Sequence, residues 1–127
     1  MKKYGGKRAV IIGGTSGMGL ATAKMQLDEG ARVLVTGRSQ AGLESAEKEL
    51  SGDAIVVSSD ARSLTDIDAL ATRVKDEFAT FDLLFVNAGF SAPTPLGSVT
   101  EAIYDEMFNL NAKGPFFAVQ KLASTSR

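Results

Sequence analysis

Four short aliphatic runs constrain the fold of this chain more than anything else in it: RAVII at 8–12, ARVLVT at 31–36, AIVVSS at 54–59 and FDLLFV at 81–86. Each is rich in branched residues and bounded by turn formers, the pattern of a strand buried on both faces. The stretches between them have helical spacing. Residues 17–29 carry Leu20, Ala23 and Leu27 and stop at Gly30. Residues 40–50 follow Ser39 as an N-cap, place Leu43, Ala46 and Leu50 on one stripe, and offer Glu44 and Lys48 as an i,i+4 pair. Residues 64–78 follow Ser63, with Asp66 in the capping-box position and Leu64, Ile67, Val74 and Phe78 facing inward.

Strand and helix in strict alternation require right-handed crossovers and a parallel sheet covered by helices on both faces. The expected class is α/β, a Rossmann-type sheet of about four strands in order 3-2-1-4, an incomplete Rossmann domain whose strand order reverses at strand 1. After strand 4 comes a loop, NAGFSAPTPLGSV. Thr100 then caps a helix with Ile103 and Met107 inward, and a second helical stretch carries Phe116, Phe117, Val119 and Leu122.

With 127 residues, 44% of them hydrophobic and 23% charged, the chain has material for one core, so residues 1–127 are read as one domain. A net charge of −1 supplies no basic excess for nucleic acid. Without cysteine or histidine, thiolate and imidazole chemistry are excluded, and any acid or base is Asp, Glu, Lys or Tyr. No metal site is suggested; Asp66 and Asp68 are read as solvated helix-face residues. The apolar run Ala9 to Ile12 is too short for a signal segment or a membrane span, so the expected location is the cytoplasm.

Gly13, Gly17 and Gly19 follow strand 1 directly and open the next helix. Glycines at such a turn let the backbone approach a ligand, and the helix start aims free N–H groups and a positive dipole end at it, which suits a pyrophosphate. The spacing is G-x-x-x-G-x-G, and its place in a βαβ unit points to dinucleotide binding; a tight structural turn is the alternative.

GGTSGMG, with VNAG at Val86 to Gly89 and NLNAKGPFF at Asn109 to Phe117, resembles the N-terminal half of the short-chain dehydrogenase/reductase family. The likeness covers almost all of residues 6–123; Ile12 stands where the family often has Thr. It implies hydride transfer between NAD(P) and a carbonyl or alcohol. It also implies that Gly13, Ser16, Met18 and Gly19, with Thr15 and Gly17 of the same turn, line the pyrophosphate and ribose region. Asp60, with Ala61 beside it, would bond the adenine amino group, and Asn87, Ala88 and Gly89 would pass the adenosine ribose. A solvated loop carboxylate or a cap is the other reading of Asp60.

An NAD site places a carboxylate about 20 residues after the glycines, at the end of strand 2. Here that end reads Gly37, Arg38, Ser39. Arg38 could clasp a 2′-phosphate that a carboxylate would repel, so NADP is expected over NAD. The basic residue that some NADP-preferring relatives carry before the second glycine is Ser16 here.

The resemblance implies a catalytic Ser, a Tyr-x-x-x-Lys pair and an Asn, of which only Asn111 is matched; an Asn that eases a helix bend is its alternative. Tyr4 is followed four residues on by Arg8, and Tyr104 by Phe108, so neither forms the pair; Tyr104 is read as structural. The substrate segment would follow Arg127, and 127 residues alone would be inactive. The alternative is a non-catalytic dinucleotide-binding or interaction module. It would associate with a second copy through the open edge of strand 4 or the helix carrying Phe116, Phe117 and Leu122.

Overall fold

Alternation along β1 (Arg8–Ile12) and β2 (Arg32–Gly37) sorts their side chains onto two faces. Ala9, Ile11, Val33 and Val35 pack with Ala23, Ala46 and Leu50, whereas Val10, Ile12 and Leu34 pack with Ile67, Leu70, Val74, Phe78, Ala118 and Leu122. Helices α1 (Gly17–Asp28) and α2 (Gln40–Glu49) therefore cover one face, and α3 (Leu64–Phe78) and α5 (Gly114–Leu122) the other. The computed structural model describes residues 5–15, 17–50, 54–87, 97, 100–108 and 113–122.

With β3 (Ala54–Ser58) and β4 (Leu83–Val86), the sheet runs β3-β2-β1-β4 and every pair is parallel, the order expected from the alternation. Ala9 sits level with Val33 on one side and Leu83 on the other. Burial on both faces holds for β1 and β2 only. β3 and β4 are half-buried because they are the outer strands of the described sheet.

Local signals set most helix ends. Ser39 and Ser63 both cap, accepting from Gly42 N at 3.1 Å and from Asp66 N at 3.2 Å. The C-terminus of α1 closes with Gly30 N donating to Leu27 O and Ala31 N to Gln26 O, each at 3.0 Å, which satisfies two terminal carbonyls. Thr100 O accepts from Tyr104 N at 2.9 Å at the start of α4 (Glu101–Phe108), as an N-cap carbonyl does. The side chains of Ile103 and Met107 lie outside the described residues.

Four expectations change. Leu64 is exposed, because a side chain in the first turn leans toward the helix start and past the sheet; Leu70 fills the inward stripe instead. Glu44 accepts from Gln40 Nε2 at 3.2 Å rather than pairing with Lys48, and at this exposed surface an ion pair would add little. Asp66 is engaged rather than simply solvated, accepting from Asp60 N at 2.8 Å, whereas Asp68 stays largely exposed on the helix face and pairs with Lys121 of α5 at 2.7 Å. Ser63 N donates to Asp60 O, so Asp66 has no cap amide to reach and the capping box stays half-formed. Finally, Leu122 is buried in the core and cannot share an outer face with Phe116, which is 62% exposed; Val119 is the exposed residue one turn on. Phe117 is half-buried and meets the Phe116 ring edge-on at 5.2 Å. Tyr104 is exposed on α4. Among the described residues, no helix is long and apolar enough to cross a membrane.

At the far end of α3, Arg8 Nη1 donates to Phe78 O at 2.6 Å and the Arg32 guanidinium lies 5.2 Å from the Phe78 ring centre. Two cations thus meet the negative end of the helix dipole. The chain then turns at Ala79 with φ 60° and ψ −56°, a region that L-residues disfavour. Ala79→Gly is expected to stabilise the protein by up to about 1 kcal/mol in denaturant unfolding. No gain, or a loss, would mean that this turn is relaxed with alanine.

Candidate functional site

β1 has β2 on one side and β4 on the other, so the strand order reverses at its carboxyl end, the place where sheets of this kind have their ligand crevice. The glycine turn lies in that crevice. Thr36, buried at the end of β2, holds it: Gly13 N donates to Thr36 Oγ1 at 3.2 Å and Gly14 N to Thr36 O at 2.9 Å. From the other side, Asn87 N donates to Ile12 O at 2.7 Å, carrying the β4 pairing up to the turn.

The glycines do two different things. Gly17, the first residue of α1, has φ +57°, and among the described residues nothing lies within 4 Å of where its Cβ would stand. At Gly19 a Cβ would collide with the Gly13 carbonyl and come within 3.0 Å of Asn87 Nδ2. The turn and the helix therefore touch through backbone, with the Asn87 amide beside them. Met18 is 69% exposed at the mouth, and the first turn of α1 carries no acidic residue. The first amides of a helix have no partner within it, and these, with a positive dipole end and no carboxylate in that turn, fit a pyrophosphate group.

The second half of the site lies at the ends of β2 and β3. Gly37 is buried and its carbonyl accepts from Ser59 N at 3.0 Å, while Arg38 and Ser39 are exposed ahead of α2. Thr15 stands over Gly37, linking this end to the glycine turn. Ala61 is half-buried against the α3 side of the core. Of the expected residues, the structure brings Gly13, Thr15, Gly17, Met18, Gly19, Gly37, Arg38, Ser39, Asp60, Ala61 and Asn87 to the carboxyl end of the sheet. Ser16, Ala88, Gly89 and Asn111 lie outside the described residues.

The sequence reading missed Gly14, Thr36 and Arg62. A Cβ at Gly14 would lie 2.8 Å from Val35 Cβ, so the turn packs directly on β2. Thr36 had a signal, a hydroxyl closing an aliphatic run. Arg62 had one too, a cation two residues after a candidate carboxylate.

Arg62 holds Asp60 with Nε to Oδ1 at 3.1 Å, Nη2 to Oδ2 at 2.9 Å and its backbone N to Oδ1 at 2.9 Å. The Arg62 side-chain hydrogen bonds lower the Asp60 pKa below its ordinary 3.8, outweighing a partial burial that raises it; the Arg62 backbone bond and the charges of Arg62 and Arg38 add to the lowering. Oδ2 keeps an accepting position for a further donor. A carboxyl lowered in this way stabilises the fold above its unfolded pKa and loses that contribution as pH falls through the folded value. Arg62→Ala is therefore expected to move the Asp60 titration, followed by carboxyl carbon NMR, up toward 3.8. Its destabilising effect should shrink as the pH drops below that range. An unmoved titration would contradict this account of the pair.

The model of the short chain dehydrogenase family matches residues 7–126. Oxidoreductase asL5 of Sarocladium schorii is 38% identical over 120 residues, spanning 94% of this chain and 48% of that protein. Galactitol 2-dehydrogenase of Agrobacterium fabrum is 31% identical over 118 residues, spanning 93% of this chain and 46% of that protein. An actinorhodin polyketide ketoreductase solved with NADPH superposes with a TM-score of 0.88 at 29% identity, over 94% of this chain and 47% of its own. The chain spans about half the length of the curated relatives it matches. With the motifs, the strand order and the glycine turn all in agreement with that match, the chain belongs to the short-chain dehydrogenase family.

Proposed function

We infer that this chain is the NADP(H)-binding portion of an oxidoreductase that interconverts carbonyls and alcohols. The observation that carries the reading is the crevice at the end of β1. There a helix start at Gly17 and a tight backbone crossing at Gly19 lie beside a β2 end that bears Arg38 and no carboxylate. The names of the relatives agree with it, since one is an oxidoreductase, one a dehydrogenase and one a ketoreductase solved with NADPH.

When bound, the dinucleotide supplies or accepts the hydride. The chain's part is to hold it. Backbone amides at Gly17, Met18 and Gly19 would take the pyrophosphate, and the Asn87 amide closes the space next to them. The Arg38 guanidinium and the Ser39 hydroxyl, whose oxygen already caps α2, would take the 2′-phosphate. The free accepting position of Asp60 suits the adenine amino group, with Ala61 alongside. The motif around Asn111 supports a role for that residue in proton relay.

Direct binding tests the reading, with nicotinamide fluorescence followed on titration. The protein is expected to bind NADPH more tightly than NADH. Arg38→Ala should weaken NADPH by one to two orders of magnitude, because a hydrogen bond to a charged group is worth about 1.5–3 kcal/mol, and should leave NADH within about twofold. Gly19→Ala should remove both, because its methyl has no room beside the Gly13 carbonyl. Equal loss of NADPH and NADH in Arg38→Ala would contradict the 2′-phosphate assignment. Unchanged binding in Gly19→Ala would contradict the crevice.

A further inference from the structure

The end of β2 lacks more than an acidic residue; it lacks room for one. A Cβ at Gly37 would collide with Thr15 Cγ2 and lie 2.6 Å from Thr15 Oγ1 and 3.0 Å from Thr15 Cβ. Rotating Thr15 does not relieve this. Its two branch atoms always fill two of the three staggered positions, and both positions that face Gly37 are filled now, so every rotamer keeps at least one blocked. The Thr15 backbone is not free to withdraw either, since the adjoining Gly13 and Gly14 amides are bonded to Thr36 and Gly14 is packed against Val35. On its other side, Thr15 Oγ1 would stand 3.2 Å from a Cβ at Gly42, in the first turn of α2. Thr15 is thus wedged between the glycine turn, the end of β2 and the start of α2, and the Arg38–Ser39 segment bends around it.

We propose that Thr15 is a specificity-determining residue: by filling the space over Gly37 it bars a carboxylate-bearing side chain from the end of β2, and so keeps the ribose 2′ region open to a phosphate. The proposal rests on the NADP(H) reading above. It extends that reading from the single charge of Arg38 to a packing pair, Thr15 with Gly37, in which neither residue can change usefully alone. Gly37→Asp by itself would force the turn apart instead of presenting a carboxylate to the ribose hydroxyls. Together with Thr15→Gly, the same carboxylate has space to stand.

The test compares wild type, Thr15→Gly, Gly37→Asp and the double variant in the full-length protein. It measures NADPH and NADH affinity by nicotinamide fluorescence, and the thermal midpoint without nucleotide. Gly37→Asp alone is expected to lower the midpoint and to gain no NADH affinity. The double variant should lose less in midpoint than the sum of the two single losses. It should also bind NADH about tenfold or more tighter than Gly37→Asp alone, the scale of one hydrogen bond to a charged group. A merely structural wedge would not move the NADH affinity. Additive midpoint losses, or a Gly37→Asp variant that binds NADH as tightly as the double, would overturn the proposal. If Gly37→Asp does not fold, Gly37→Ala replaces it in the midpoint cycle, where its loss should shrink once Thr15 is glycine. Wild type binding NADH as tightly as NADPH would remove the cofactor reading, while the midpoint cycle would still decide the packing pair on its own.

Discussion

The site depends on one strand being held on every side. β1 is paired in parallel with β2 and β4 and covered by helices above and below, and Val10 and Ile11 have no exposed surface. A strand so confined can end at only one place, and the turn that follows is fixed by the same neighbours. Thr36 of β2 takes the amides of Gly13 and Gly14, and the amide of Asn87 beyond β4 takes the carbonyl of Ile12. The crevice at that end is therefore a consequence of sheet order, with the glycines shaping its floor.

Within the crevice, steric and electrostatic demands act on different residues. Gly19 is needed for closeness, because its neighbours are a backbone carbonyl and the Asn87 amide, while Gly17 is needed for a left-handed backbone. Positive character comes from the start of α1 and, further along, from Arg38 ahead of α2. The Asp60 carboxylate lies at the end of β3, and Arg62 holds it in place. That pairing keeps a negative group at the carboxyl end of the sheet without leaving it unbalanced.

Much of this was legible in the chain itself. Runs of branched aliphatic residues bounded by turn formers marked all four strands, and the crossover rule ordered them as 3-2-1-4, because parallel pairing leaves few topologies. Serine caps at 39 and 63 marked two helix starts, since capping is decided within four residues. What the sequence could not reveal depended on distance in space. Leu122 looked like part of an outer aromatic face, yet it lies in the core, because the orientation of α5 is set by α3 and the Lys121 to Asp68 pair. Asp66 looked like half of a capping box but binds the Asp60 amide, because the loop before it had already taken the cap amide. The crowding of Thr15 over Gly37 joins residues 22 positions apart and leaves no periodic trace.

The central claim is that a dinucleotide sits across the end of β1, from the start of α1 to the start of α2. Backbone amide shifts of the isotope-labelled protein, recorded while NADPH is added, test it most directly. The account predicts the largest, saturable shifts at Gly17, Met18 and Gly19, with a second group at Arg38 and Ser39 that is smaller when NADH is used. Shifts confined elsewhere, such as the shallow groove lined by Val57, Asp66 and Arg73, or no shifts at all, would contradict it.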